Sequence, residues 1–115
     1  MNEGDVMLVA LPQSNGQLKN RPAIALRLMP PFGDMLVCGV STQLHQQVIE
    51  FDEIIEPSHA DFVLSGLRSA SLIRLGFLAV LPVSGFIGKI GHISLERHQR
   101  LTKRLARHIY SSQPN

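Results

Sequence analysis

From Gly4 to Ile93 the chain is cut into short apolar runs by Pro, Gly, Asn and Asp, and only after Ser94 does the hydrophobic period lengthen to that of a helix. That single change of period constrains the fold more than any other feature. Apolar or alternating runs of roughly four to eight residues between turn residues have strand length, whereas Leu95, Leu101, Leu105 and Ile109 recur at helical spacing. Gly4 to Leu11 reads as a first strand closed by Pro12, and Pro12 to Asn20, with Asn15-Gly16 at its middle, as an exposed polar loop. Arg21-Pro22 opens a second strand running to Met29, in which Ile24, Leu26 and Leu28 alternate with Ala23, Ala25 and Arg27. Pro30 to Asp34 is a turn, and Met35 to Gln43 a third strand. Its start is apolar at every position, as expected where both faces are covered.

Beyond Gln43 the pattern predicts a short strand around Val48 to Phe51 followed by a loop, then turn residues from Pro57 to Asp61. Ser71 to Val83 reads as one or two strands separated at Gly76, and Phe86 to Ile93 as another. Ser94 is a good helix N-cap with Glu96 near the positive end of the dipole, which predicts a helix over about 94–110 with a flexible tail at 111–115. Five to seven short strands and one terminal helix predict a mostly β fold: a small antiparallel barrel with a C-terminal helix packed on it. At 115 residues, 44% of them hydrophobic, the chain is expected to be one domain, 1–115, with a core sufficient without metal or disulfides.

Several classes of chemistry are excluded. Cys38 is the only cysteine, so no internal disulfide forms, and it sits in the most apolar strand, where a packed thiol is expected rather than a nucleophile. His45, His59, His92, His98 and His108 include no i,i+4 pair and no cysteine partner at finger spacing, so no metal site and no cofactor is expected. Neither a GxSxG nor a Walker phosphate loop occurs. The start, Met1 to Asp5, has no basic or apolar leader character, and the longest apolar runs fall far short of the roughly 20 residues that cross a bilayer. A soluble, cytoplasmic protein without membrane contact is expected.

Charge is unevenly placed. Residues 1–67 hold Lys19, Arg21 and Arg27 against eight acids, and residues 68–115 hold eight basic residues against Glu96 alone. Such asymmetry fits an anionic ligand such as nucleic acid, an acidic protein partner, or a solvated basic face on the last helix, where Arg97, Arg100, Lys103, Arg104 and Arg107 lie. Two polar sites sit at strand boundaries: Arg21, where the polar loop enters the second strand, and Ser41-Thr42-Gln43, where the third strand ends. A guanidinium holds phosphate by a planar two-point contact, and hydroxyls beside it orient a phosphate oxygen. If strands two and three form a hairpin through the Pro30 to Asp34 turn, the two sites come to the same end of the sheet.

The order of these pieces resembles the MazF/PemK (Kid) family of bacterial toxin endoribonucleases. The resemblance is carried by Gly4-Asp5-Val6, Asn20-Arg21-Pro22-Ala23, Val40-Ser41-Thr42-Gln43, Ser65-Gly66-Leu67, Ser71-Leu72-Ile73-Arg74 and Ile90-Gly91-His92-Ile93-Ser94. It implies an SH3-like barrel that dimerises, is held by a cognate acidic antitoxin, and cuts single-stranded RNA without a metal through attack of the 2′-hydroxyl on its own phosphodiester. Carried over, Arg21 and Ser41 are the catalytic pair: the arginine stabilises the developing phosphorane charge, with a possible part in proton transfer, and the serine stands at the active phosphate. Thr42, Gln43, His45 and Arg74 are the implied RNA contacts. The chain departs from the family at Gly76, where several members carry an aspartate; His45 is the candidate to replace that acid or base. Exposed aromatic rings for base stacking are scarce, Phe32 being the best placed. The alternative function is a non-catalytic protein of the same fold that acts by protein binding, as in CcdB-like gyrase inhibition or a regulatory binding module.

Overall fold

The strands pair as hairpins wherever the chain between them is short. In the computed structural model, which describes residues 1–111, Asp5–Pro12 (β1) pairs antiparallel with Leu18–Met29 (β2), and β2 with Asp34–Ser41 (β3). Glu53–Ile55 (β4) and Ser71–Leu81 (β5) follow, then Phe86–His92 (β6). Every pairing is antiparallel and the order is β4-β5-β3-β2-β1-β6. β4 and β6 are the two edges and do not pair with each other, so hydrogen bonds do not close the sheet into the barrel expected from the sequence. A short helix, Phe62–Ser65 (α1), packs against β6 beyond the end of the ladder. The approach is close enough that a Cβ on Gly91 would overlap the Leu64 and Ser65 backbone, and one on Gly66, whose φ is 73°, would overlap the Ile90 carbonyl.

Side-chain alternation splits the apolar residues between the two faces of the sheet. Ile24, Leu26, Cys38, Val40, Ile73 and Leu75 form one cluster beneath Leu101 and Leu105 of the terminal helix, Leu95–Tyr110 (α2). Val9, Leu11, Ala23, Ala25, Met35 and Val37 form the other, on which Phe77 and Leu81 of β5 and Phe86 of β6 pack from opposite sides as the sheet curls. Both faces are therefore covered, which explains the unbroken apolar run at Met35–Cys38. Burial pushes the Cys38 thiol up to about 12 and leaves it neutral.

Two irregularities interrupt the regular ladder. Gly39 pairs with Arg74 and Cys38 with Leu78, so Leu75, Gly76 and Phe77 bulge out of an otherwise continuous β5; of the one or two strands the sequence allowed here, there is one, interrupted around Gly76. Asp52 accepts from the Leu75 N–H at 3.0 Å and from Val48 N–H at 2.9 Å. That second bond, with Glu50 at φ 67°, folds residues 48–52 into a turn; the strand expected around Val48 to Phe51 lies instead at Glu53–Ile55, after a single 3-10 turn at Leu44–Gln46. The polar loop is also shorter than Pro12 to Asn20, because β2 begins at Leu18.

Ser94 caps α2 as expected, its hydroxyl accepting from Arg97 N–H at 3.1 Å. Of the basic residues the sequence allowed as a solvated face, Arg100, Lys103 and Arg107 are exposed, whereas Arg97 turns inward. Arg97 is 5% exposed and donates through Nε and Nη2 to Asp61 and through Nη1 to Glu53, at 2.8 to 3.1 Å. Glu53, itself buried, also receives Arg100 Nε at 2.9 Å and pairs with Arg104 Nη1 at 3.2 Å. Burial pushes the Asp61 carboxyl up, but hydrogen bonds from Arg97 and the Ser94 N–H and the Arg97 charge outweigh it and hold the group at about 2. The hydrogen bond to Glu53 likewise raises Arg100. Two acids of the first part of the chain, Glu53 and Asp61, thus pair with basic residues of the second. Leu95 and Ile109, at helical spacing with the core leucines, are exposed. The tail expected at 111–115 falls, apart from Ser111, outside the described residues.

Candidate functional site

The β2–β3 register sets the site. Ala23 lies opposite Gly39, the last pair of the ladder toward the open end of the hairpin, and just beyond it Arg21 of β2 and Ser41 of β3 line the same cleft. On the next strand over, Arg74 is the partner of Gly39. These residues line a cleft of about 190 Å³ together with Thr42 and Gln43 at the end of β3, Gln13 at the end of β1, and Phe77. At roughly 30 Å³ per water molecule the cleft has room for about six waters, the scale of a phosphate group and part of a sugar. Buried Leu11 and partly buried Phe77, both of the second apolar cluster, complete its lining.

The β5 bulge is what lets Arg74 and Phe77 share this cleft. In a regular strand residues three apart point to opposite faces; the extra residues before Leu78 restore them to one. The Arg74 guanidinium sits 5.9 Å from the Phe77 ring centroid. Gly39 gives that ring its place, since a Cβ there would meet Phe77 Cδ1 at 3.1 Å. Arg21 Nη2 donates to Gln13 Oε1 at 3.3 Å, and Ser41 Oγ accepts from the Gln43 N–H at 3.0 Å, which leaves the serine hydroxyl proton to donate elsewhere.

No carboxylate lines the cleft, and neither Arg21 nor Arg74 is ion-paired to an acid among the described residues. The contrast with Arg97, Arg100 and Arg104 is clear: those three share the carboxylates of Glu53 and Asp61, while the two cleft arginines have no acid beside them in a concavity that focuses their charge. Two half-buried cations, a hydroxyl and an aromatic ring make an anion site with one apolar wall. No group of three or more His, Cys, Asp or Glu that could hold a metal occurs among the described residues.

Of the residues singled out in the sequence, Arg21, Ser41, Thr42, Gln43 and Arg74 are brought together, and His45 is not: it is exposed on the one-turn 3-10 helix, outside the cleft lining. Gly76 does not line the cleft either; a Cβ there would have only Phe51 within reach, at 3.9 Å. Phe32 is 87% exposed but lies in the β2–β3 turn, at the far end of the hairpin from Ser41. The ring at the cleft is Phe77, which sequence reading missed along with Gln13. The bulge and the hairpin loop that deliver them leave no periodic signal.

Residues 2–109 match a family model described as PemK-like, MazF-like toxin of type II toxin–antitoxin system. Among solved structures the chain is similar to the Mycobacterium tuberculosis toxin MazF-mt6, with a TM-score of 0.68 and 14% identity over 95% of this chain and 99% of that one. It is also similar to an endoribonuclease in complex with its cognate antitoxin from mycobacterial species, with a TM-score of 0.70 and 13% identity over 99% of each chain. At such identity these likenesses speak for the fold. No curated protein sequence is a significant match.

Proposed function

Because the chain belongs to the PemK/MazF family of toxins of type II toxin–antitoxin systems, a family known for endoribonuclease activity, we propose that it cuts single-stranded RNA without a metal, at the cleft between Arg21, Ser41 and Arg74. The observation that carries this reading is the pair of guanidiniums left without carboxylate partners beside a serine hydroxyl. A phosphodiester seated there is held by Arg21 through two N–H donors, with Ser41 donating to a further phosphate oxygen. Thr42 and Gln43 meet the flanking nucleotides. The 2′-oxygen of the substrate attacks the adjacent phosphorus, the P–O5′ bond breaks, the departing O5′ takes a proton from solvent, and the products are a 2′,3′-cyclic phosphate and a 5′-hydroxyl. Negative charge grows on the non-bridging oxygens in the transition state, where a fixed cation is worth about 3–4 kcal/mol. Arg21 is the charge stabiliser. With no acid or imidazole lining the cleft, the proton of the 2′-hydroxyl passes to solvent; an activity limb lost in His45→Ala would assign that step to His45 instead.

The same reading takes the curled sheet, with α1 filling the gap beside β6, as an SH3-like barrel in one domain, working in the cytoplasm as a homodimer under an acidic antitoxin. The structurally similar mycobacterial endoribonuclease, solved with its cognate antitoxin, supports that partner. The glycine at position 76 favours a second reading, a non-catalytic binding protein on this fold. One experiment separates them: incubate the protein with a long unstructured RNA in EDTA and map the ends. Cleavage leaving cyclic phosphates, lowered at least 100-fold by Arg21→Ala with folding intact, is expected. Undiminished cleavage by Arg21→Ala would remove the arginine from its role, and no cleavage by the unaltered protein would leave the binding reading.

A further inference from the structure

Arg21 reaches the cleft from a hairpin end, and a free guanidinium on a long side chain has many rotamers to lose. Its hydrogen-bond acceptor is a neutral amide, Gln13 Oε1, at 3.3 Å. That amide is fixed in turn. Gln13 Nε2 donates to the Leu11 carbonyl at 3.2 Å, so one amide orientation alone satisfies both the carbonyl and the guanidinium. The Gln13 backbone closes the β1–β2 loop, its N–H donating to the Gln17 carbonyl at 2.8 Å and its carbonyl accepting from Gly16 at 2.9 Å. Gly16, at φ 83°, makes the turn, and Asn15 Oδ1 accepts from Gln17 N–H at 3.0 Å. A chain of bonds thus runs from the loop backbone through one side chain to the cleft arginine.

We infer that Gln13 is a positioning residue of the cleft, holding Arg21 over the phosphate site through an acceptor that does not cancel its charge. This rests on the proposed ribonuclease reading. An amide is the suitable group: a carboxylate at the same place would hold the guanidinium harder, but it would pair off the charge that the phosphate needs and repel the phosphate itself. Arg97 illustrates the alternative, buried and held by Glu53 and Asp61 and so unavailable to an anion.

Two variants test the inference. Gln13→Met keeps the length and removes the acceptor; Gln13→Glu keeps the acceptor and adds charge. The readouts are kcat and KM on single-stranded RNA, melting temperature, and the salt dependence of binding to a fully 2′-O-methylated oligoribonucleotide, which lacks the attacking hydroxyl. Gln13→Met is expected to lower kcat tenfold or more with KM, melting temperature and salt slope unchanged, because the cation is present but misdirected. Gln13→Glu is expected to lower kcat and also to flatten the salt slope by about 0.7, the share of one phosphate contact on a single strand. The inference is overturned by Gln13→Met within threefold of the unaltered kcat, by its loss tracking a fall in melting temperature, or by a Gln13→Glu slope equal to that of the unaltered protein. Failure of the ribonuclease reading looks different: the unaltered protein would then cut nothing, and failure of Arg21's role would show as Arg21→Ala cutting as well as the parent.

Discussion

Replacing Asp61 by asparagine tests whether a buried charge network holds the terminal helix to the sheet. The carboxylate is 5% exposed and accepts from Arg97 Nε at 2.8 Å, Arg97 Nη2 at 3.1 Å and Ser94 N–H at 3.0 Å. Its lowering from 3.8 to about 2 corresponds to about 2.5 kcal/mol of folding stability at ~1.4 kcal/mol per tenfold change in proton affinity. An asparagine retains one acceptor oxygen but turns an amide N–H₂ toward Arg97 and leaves that buried guanidinium with Glu53 alone. The expected loss at pH 7 is therefore at least about 2.5 and up to about 4 kcal/mol. Because the folded-state value is depressed, the contribution is full above the ordinary carboxylate range and disappears as pH falls through about 2. By pH 3 the gap between the two proteins should have shrunk by about 1 kcal/mol. Urea titrations followed by circular dichroism at pH 7, 4 and 3 measure it. A gap below 1 kcal/mol at pH 7, or one that stays constant down to pH 3, would refute the argument that the ionised carboxylate, rather than the shape of the side chain, is what stabilises.

Other substitutions probe the remaining links. Gly91→Ala should cost about 3 kcal/mol, the upper end for overpacking, since the new methyl overlaps the backbone of α1 rather than a movable side chain; denaturant midpoints decide it. Cys38, with its thiol pushed up to about 12, should resist a thiol reagent at pH 8 in the native protein and react at once in urea, and stability should decline as pH rises above 9, where the unfolded thiol ionises and the folded one does not. Gly76→Asp should fold with an unchanged melting temperature, having room on the Phe51 side, and should alter RNA cleavage less than threefold because position 76 does not line the cleft; a larger change in kcat would place the new carboxylate at the reacting phosphate.

Local rules made the hairpins and the last helix readable. Proline and glycine between apolar runs announced the turns, Ser94 announced its helix, and the hairpin register alone brought Arg21 to Ser41. What escaped depends on contacts between distant residues. For the basic residues of α2 the sequence left an anionic ligand, an acidic partner or a solvated face open, since nothing local shows that Glu53 and Asp61, more than thirty residues earlier, lie beneath Arg97. The strand at Glu53–Ile55 falls later than its apolar pattern suggests because Asp52 bends the preceding apolar run back on itself through Val48. Phe77 and Gln13 reach the cleft through a bulge and a loop bond, and neither follows from a period of two. His45 looked close in sequence to Gln43, yet one 3-10 turn carries it away from the cleft.

The latch between α2 and the sheet sets an order of assembly. A chain that has emerged from the ribosome only as far as Gly91 holds every residue of the cleft, yet it lacks Arg97 to neutralise Glu53 and Asp61 and lacks Leu101 and Leu105 to roof the first apolar cluster. Two carboxylates would have to enter a low-dielectric interior unpaired, which the modest stability of so small a sheet does not support. The proposed anion-gripping mouth is therefore expected to form only once the helix turns that carry Arg97, Leu101 and Leu105 have joined the sheet.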